Sequence, residues 1–145
     1  MKTLSLSLFV LVLSASLQAQ EWKLDFESAK QKAKTDQKNI VLVFSGSDWC
    51  TPCIKLERYI WESEVFMAYA KEDLVLLKAD FPRKKANKLS KEQQVQNDLL
   101  AERYNTTGYF PLVVILDADG KVLGKTGYKN VTPEAYIKLL QSFMI

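Results

Sequence analysis

Three short segments of the chain are apolar at nearly every position: residues 40–44, 74–79 and 112–116. Runs of that length, rich in Val, Ile, Leu and Phe, predict strands buried on both faces. Between them the apolar positions recur at helical spacing. Phe26, Ala29 and Ala33 predict a helix over 25–38. Ile54, Leu56, Tyr59 and Ile60 predict another, continued past a break at Ser63 by Val65, Phe66, Tyr69 and Ala70. Val95, Leu99 and Leu100 give the inward face of a third, over about 92–104. A fourth strand over 121–127 follows the turn Asp117-Ala118-Asp119-Gly120, and Thr132-Pro133-Glu134 opens a last helix that runs on through 136–143. The order is helix, strand, helix, strand, helix, strand, strand, helix. It predicts an α/β domain with a central mixed sheet of about four strands and helices on both faces.

Residues 1–19 follow a different pattern: a basic Lys2, an apolar run from Leu4 to Leu17 broken by four serines, and a small Ala19. That is the outline of a signal peptide, and the run is too short and too interrupted for the roughly 20 apolar residues of a membrane span. We therefore expect a signal peptide over 1–19, a single domain over 20–145, export to the periplasm or beyond, and no membrane attachment after cleavage. A chain of 145 residues with 48% hydrophobic content suits one core and no second domain. Its net charge of +3 is too mild to suggest nucleic acid. The basic residues Arg83, Lys84, Lys85, Lys88 and Lys91 read either as a solvated surface insertion or as a dock for an acidic partner. Trp22, Trp61, Phe66, Phe81 and Tyr104 are spaced as core or edge residues and imply no cofactor box.

The chain has no histidine, which removes the usual catalytic base and the commonest nitrogen ligand for metals. It has two cysteines, in Trp49-Cys50-Thr51-Pro52-Cys53, where a buried strand ends and a helix begins. Unpaired N–H groups and the helix dipole at such a junction stabilise a thiolate on Cys50. Cys50 is then the exposed nucleophile, and Cys53, one turn further in, resolves the mixed disulfide. Pro52 sits in the first turn, where its missing N–H costs little, and Trp49 offers an apolar surface beside the sulfur. A static disulfide is the plainer alternative, but a four-residue loop removes little unfolded-state entropy. A metal site would need ligands beyond two thiolates. The expected redox group is the Cys50–Cys53 pair itself, with no cofactor and no metal.

Preceded by Val41-Leu42-Val43-Phe44, the segment Asp48-Trp49-Cys50-Thr51-Pro52-Cys53 resembles the active-site segment of thioredoxin-like proteins. The likeness extends from about residue 22 to the end, and is greatest to the secreted branch and the carboxy-terminal domain of DsbD-type disulfide reductases. It implies a thioredoxin-like fold and thiol–disulfide oxidoreductase activity. The implied partners are thiols and disulfides of exported proteins and an upstream electron donor or acceptor protein, met by a monomer. It also implies that Pro111 is a cis-proline opening the strand that faces the cysteines, with Trp49, Thr51, Pro52, Phe110 and Pro111 contacting substrate.

The chain departs from that family pattern at several positions. Tyr109 and Phe110 separate Gly108 from Pro111, where one residue is usual, and Leu112 stands where a threonine often follows, so Phe110 is expected to narrow the groove. Phe44 occupies the place, six before Cys50, where these proteins bury an aspartate. Glu57, four after Cys53 on the same helix face, is the substitute the resemblance supports; partly buried, with a raised pKa, it would exchange a proton with Cys53. The alternative for Glu57 is a surface charge paired with Lys or Arg. Asp48 is expected to place negative charge near Cys50 and keep it only moderately acidic, which leans away from a strong oxidase. A reductase or general oxidoreductase is favoured, with a disulfide isomerase or a non-catalytic peptide-binding module as alternatives.

Overall fold

The three apolar runs become the inner strands of one sheet. The computed structural model describes residues 20–145; the signal peptide expected over 1–19 lies outside the described residues. In chain order the elements are β1 (Trp22–Lys23), α1 (Phe26–Asp36), β2 (Asn39–Ser45), α2 (Thr51–Leu56) running into a π-helical turn (Glu57–Trp61), and α3 (Glu64–Asp73). There follow β3 (Leu74–Asp80), a 3-10 turn (Lys85–Asn87), α4 (Lys91–Tyr104), β4 (Leu112–Leu116), β5 (Val122–Thr126) and α5 (Pro133–Ser142). The strand order is β1-β3-β2-β4-β5. β2 and β1 run parallel to β3, whereas β4 is antiparallel to β2 and β5 antiparallel to β4.

Alternation along the strands separates two cores. Val41, Val43, Leu74, Leu76, Val113 and Ile115 face the side covered by α2, α3 and α5, where Leu56, Ile60, Trp61, Phe66, Tyr136 and Leu140 pack against them. Ile40, Leu42, Phe44, Val75, Leu77, Ala79, Val114 and Leu116 face the side covered by α1 and α4. Both faces are dry, which is why these strands read as continuous apolar runs. Side-chain caps fix the helix starts: Asp25 accepts from the Ser28 amide, Ser63 from Phe66, Ser90 from Gln93 and Thr132 from Ala135. Buried Tyr136 donates its hydroxyl to the Gly127 carbonyl at 2.8 Å, and burial pushes its phenol well above the usual tyrosine range. No described helix is long and apolar enough to cross a membrane.

The mixed sheet with helices on both faces is as expected, and the differences lie in detail. The sheet has a fifth strand, β1, whose two residues pair with Leu76 and Leu77 and are too few to leave a periodic signal. Val95 and Leu99 are exposed; α4 turns Asn97, Leu100 and Tyr104 inward instead. The cause is that a buried polar residue occupies the inward stripe: Asn97 donates to the Asp80 carbonyl at 2.9 Å. Ile54, Tyr59 and Val65 are also exposed, and the inward face after the cysteines is Cys53, Leu56, Ile60 and Trp61. These four stand at i, i+3, i+7 and i+8, the ordinary spacing of one helical face, which turns Ile54 and Tyr59 to solvent.

Candidate active site

β2 delivers the chain to the carboxyl edge of the sheet, and residues 46–50 form a tight turn there. The Trp49 and Cys50 amides both donate to the Gly46 carbonyl, at 3.2 and 2.9 Å. Glycine is required at 46 because a Cβ would fall 2.3 Å from the Trp49 indole, which lies over the turn. Cys50 is the N-cap of α2 and is joined to Cys53 by a disulfide, with S–S 2.12 Å. The Cys53 amide points at the Cys50 sulfur at 3.3 Å, and the Gly46 amide at the Cys53 sulfur at 3.4 Å. Each sulfur therefore faces a backbone donor that would stabilise a thiolate once the bond is reduced. Pro52 sits in the first turn of α2, and Pro52 and Thr51 are exposed. Cys50 corrects an expectation: in the disulfide form it is only 4% exposed, scarcely more than Cys53 at 3%. The Cys53 amide and the turn behind it enclose the sulfur, so a substrate must come in over the rim.

That rim is aromatic. β4 opens at Leu112, which pairs with Phe44 near the end of β2, so Pro111 lies level with the point where the cysteine turn leaves the sheet. The Phe110–Pro111 peptide bond is cis. Phe110 packs edge-on against Trp49, with ring centroids 5.4 Å apart, and against Phe81 at 5.5 Å; Phe81 in turn stacks on Phe44 at 6.4 Å. The Trp49 indole N–H donates to the Phe81 carbonyl at 2.7 Å. Where a carboxylate was expected in related chains, Phe44 is thus the buried end of an aromatic ladder that reaches Trp49. The segment between Gly108 and Pro111, one residue longer than is usual, is braced by buried Asn105, whose side chain accepts from the Tyr109 amide at 3.0 Å and donates to its carbonyl at 2.9 Å. Gly108, at φ +69°, allows the turn that the brace closes.

Both nearby carboxylates are engaged, Glu57 by a lysine, as one of its two sequence readings has it, and Asp48 by backbone amides. The Glu57 carboxylate is half-exposed and paired with Lys78 of β3 at 2.8 Å, while its backbone N–H continues the helix to the Cys53 carbonyl. Lys78 also lies 4.5 Å over the Trp22 ring, so the pair is held from two sides. Asp48 is engaged by the segment that follows β3. It accepts from the backbone amides of Arg83 and Lys84, at 2.9 and 3.0 Å, and from the Asn87 side chain at 2.9 Å. Those donors, the Arg83 amide foremost, hold its carboxyl below the usual aspartate range. Arg83 stacks its guanidinium on Trp49, 3.7 Å from the ring centre. Sequence reading placed Arg83 in a basic stretch and Phe81 among packing residues without bringing either to the cysteines, and it missed Asn105. Only Asn105, three residues before a glycine in a loop, left a turn signal that could have been read.

Among the described residues no cluster of three metal-ligating side chains occurs, and the group that can carry electrons is the cysteine pair. A family model described as thioredoxin-like matches residues 21–118. The disulfide bond reductase DsbH of Chlamydia pneumoniae is 37% identical over 122 residues, which is 84% of this chain and 71% of that protein. A solved structure of a DsbH oxidoreductase superposes with a TM-score of 0.80 at 33% identity, covering 97% of this chain and 94% of that one. A disulphide isomerase from Xylella fastidiosa, at 20% identity, shares the fold with a TM-score of 0.61 over 82% of this chain and 88% of its own.

Proposed function

The chain belongs to the thioredoxin-like family, and from that membership we propose that it reduces disulfides of exported proteins by thiol–disulfide exchange at Cys50 and Cys53. The observation that carries this reading is the cysteine pair itself: a disulfide at the start of α2, each sulfur facing a backbone amide, beside a rim that includes a cis-proline. Similarity to a protein named as a disulfide bond reductase supports the reducing direction.

In the reduced protein the Cys50 thiolate attacks one sulfur of a substrate disulfide. A mixed disulfide forms, and the other substrate sulfur leaves as a thiolate and takes up a proton. Cys53 then loses its proton and attacks the Cys50 sulfur, which expels the second substrate thiol and closes the Cys50–Cys53 bond seen here. Two electrons pass to the substrate, and a dithiol donor protein restores the pair. Trp49, Thr51, Pro52, Phe110 and Pro111 form the surface on which the substrate chain lies, with Phe110 narrowing it from the β4 side. Glu57, one turn beyond Cys53 and fixed by Lys78, is assigned to accept the Cys53 proton.

Reduction of insulin by dithiothreitol tests the proposal. The protein should accelerate precipitation of the insulin B chain, and Cys50→Ser should abolish the acceleration. An unchanged rate in that variant would sink it.

A further inference from the structure

The segment that leaves β3 runs back past the redox centre and carries Arg83, Lys84, Lys85, Lys88 and Lys91, with no acidic residue between the first and the last. All five side chains are exposed, and none has an ion-pair partner among the described residues. Chain flexibility would normally let such a run disperse, but this one is held. Asp48 ties down the amides of Arg83 and Lys84 and the side chain of Asn87, the 3-10 turn stiffens the middle, and Ser90 caps α4 at the far end. The acids near the redox turn are already engaged: Asp48 by the loop itself, and Asp80 by the amide and hydroxyl of Ser47. Glu92 lies just beyond, on the first turn of α4. Arg83 joins the cationic surface to the rim through its stack on Trp49, the residue before Cys50.

We infer that this loop is a docking surface for an acidic polypeptide, a redox partner that presents carboxylates beside the cysteines it exchanges with Cys50. The inference rests on the exchange reading above and adds the chemistry of the partner. Five cationic side chains on a braced loop are offset there by the single carboxylate of Asp48, and a net cationic patch bordering the reactive sulfur speeds encounter with a negatively charged partner. An acidic polypeptide suits the site better than nucleic acid or lipid because only a polypeptide brings the disulfide that the adjoining rim is built to receive.

The test uses the reduced full-length protein and three disulfides: two cystine peptides of equal length, one flanked by glutamates and one by lysines, and uncharged bis(2-hydroxyethyl) disulfide. At ~20 mM salt the acidic peptide should react about tenfold faster than the basic one, within the range of electrostatic steering. The difference should shrink at ~0.5 M salt, where screening shortens the reach of surface charge to a few ångströms. Lys85→Glu/Lys88→Glu/Lys91→Glu should reverse the order of the peptides while the uncharged disulfide reacts as before; glutamate at 91 is compatible with the start of α4. Equal rates for the two peptides, an acid preference that survives the triple substitution, or capture by anionic phospholipid vesicles without any peptide preference would overturn the inference. Failure of all three disulfides to react would instead bring down the exchange reading, and this one with it.

Discussion

Asp48 and Glu57 are the carboxylates nearest the cysteine pair in sequence, and the fold gives them different duties. Asp48 organises backbone, and its pKa is lowered chiefly by the Arg83 amide. A carboxyl depressed in the folded state contributes while pH stays above its unfolded value of about 3.9 and loses that contribution as pH falls through the lower folded value. Protection of the Arg83 and Lys84 amides, relative to exchange in an unstructured chain at the same pH, should therefore persist down to the ordinary aspartate range and fall only below it. Asp48→Asn should lower their protection above that range and leave it nearly unchanged below, where the wild-type carboxyl is itself neutral. Glu57, paired with Lys78 and half in solvent, is tested by Glu57→Gln, which keeps the shape and removes the base. Resolution of the mixed disulfide should slow by ~10-fold, short of the ~10²-fold of a committed base because water also reaches the site. An unaltered resolution rate would remove Glu57 from the mechanism. The cysteines were legible at this scale because C-x-x-C chemistry is local. The placement of the carboxylates was not, because their partners come from residues 78 and 83–87, far along the chain.

Among the elements, the strands were the most legible. A strand buried on both faces has no polar side to confuse its reading, and β2, β3 and β4 fall within a residue or so of the apolar runs. Helix faces were read less well wherever a polar residue points inward. In α4 the buried stripe is Asn97, Leu100 and Tyr104, while Leu99 remains 59% exposed. Apolar counting chose Leu99 because it had no means of knowing that Asn97 would bond to the end of β3. Urea unfolding separates the two assignments: Leu100→Ala should cost about 2–4 kcal/mol through lost burial and a cavity, whereas Leu99→Ala should stay within about 0.5 kcal/mol. The π turn after α2 is a second case. Ile60 and Trp61, seven and eight residues after Cys53, continue the inward face that Cys53 and Leu56 begin, while Ile54 and Tyr59 stay exposed.

At the scale of the whole molecule, the fold gathers at one sheet edge what lies scattered along the chain. The turn after β2 supplies Trp49 and Cys50, the segment after β3 supplies Phe81 and Arg83, and the loop before β4 supplies Phe110 and Pro111. Because β4 runs antiparallel to β2, its first residues and the last of β2 meet at the same edge. The rim therefore follows from topology, and the resemblance in the sequence located Pro111 before any contact was known. The aromatic ladder from Phe44 to Trp49 was not foreseen, since it requires three segments to converge. On the proposed function, Cys50 and Cys53 form a reversible dithiol–disulfide couple that works in the reducing direction. The reduction potential of the pair, measured by equilibration with glutathione or dithiothreitol, tests it most directly. A value near ~−270 mV, among thioredoxin-like reductants, is expected. A value near ~−120 mV, that of a strong oxidant, or a bond that neither reagent opens would contradict it.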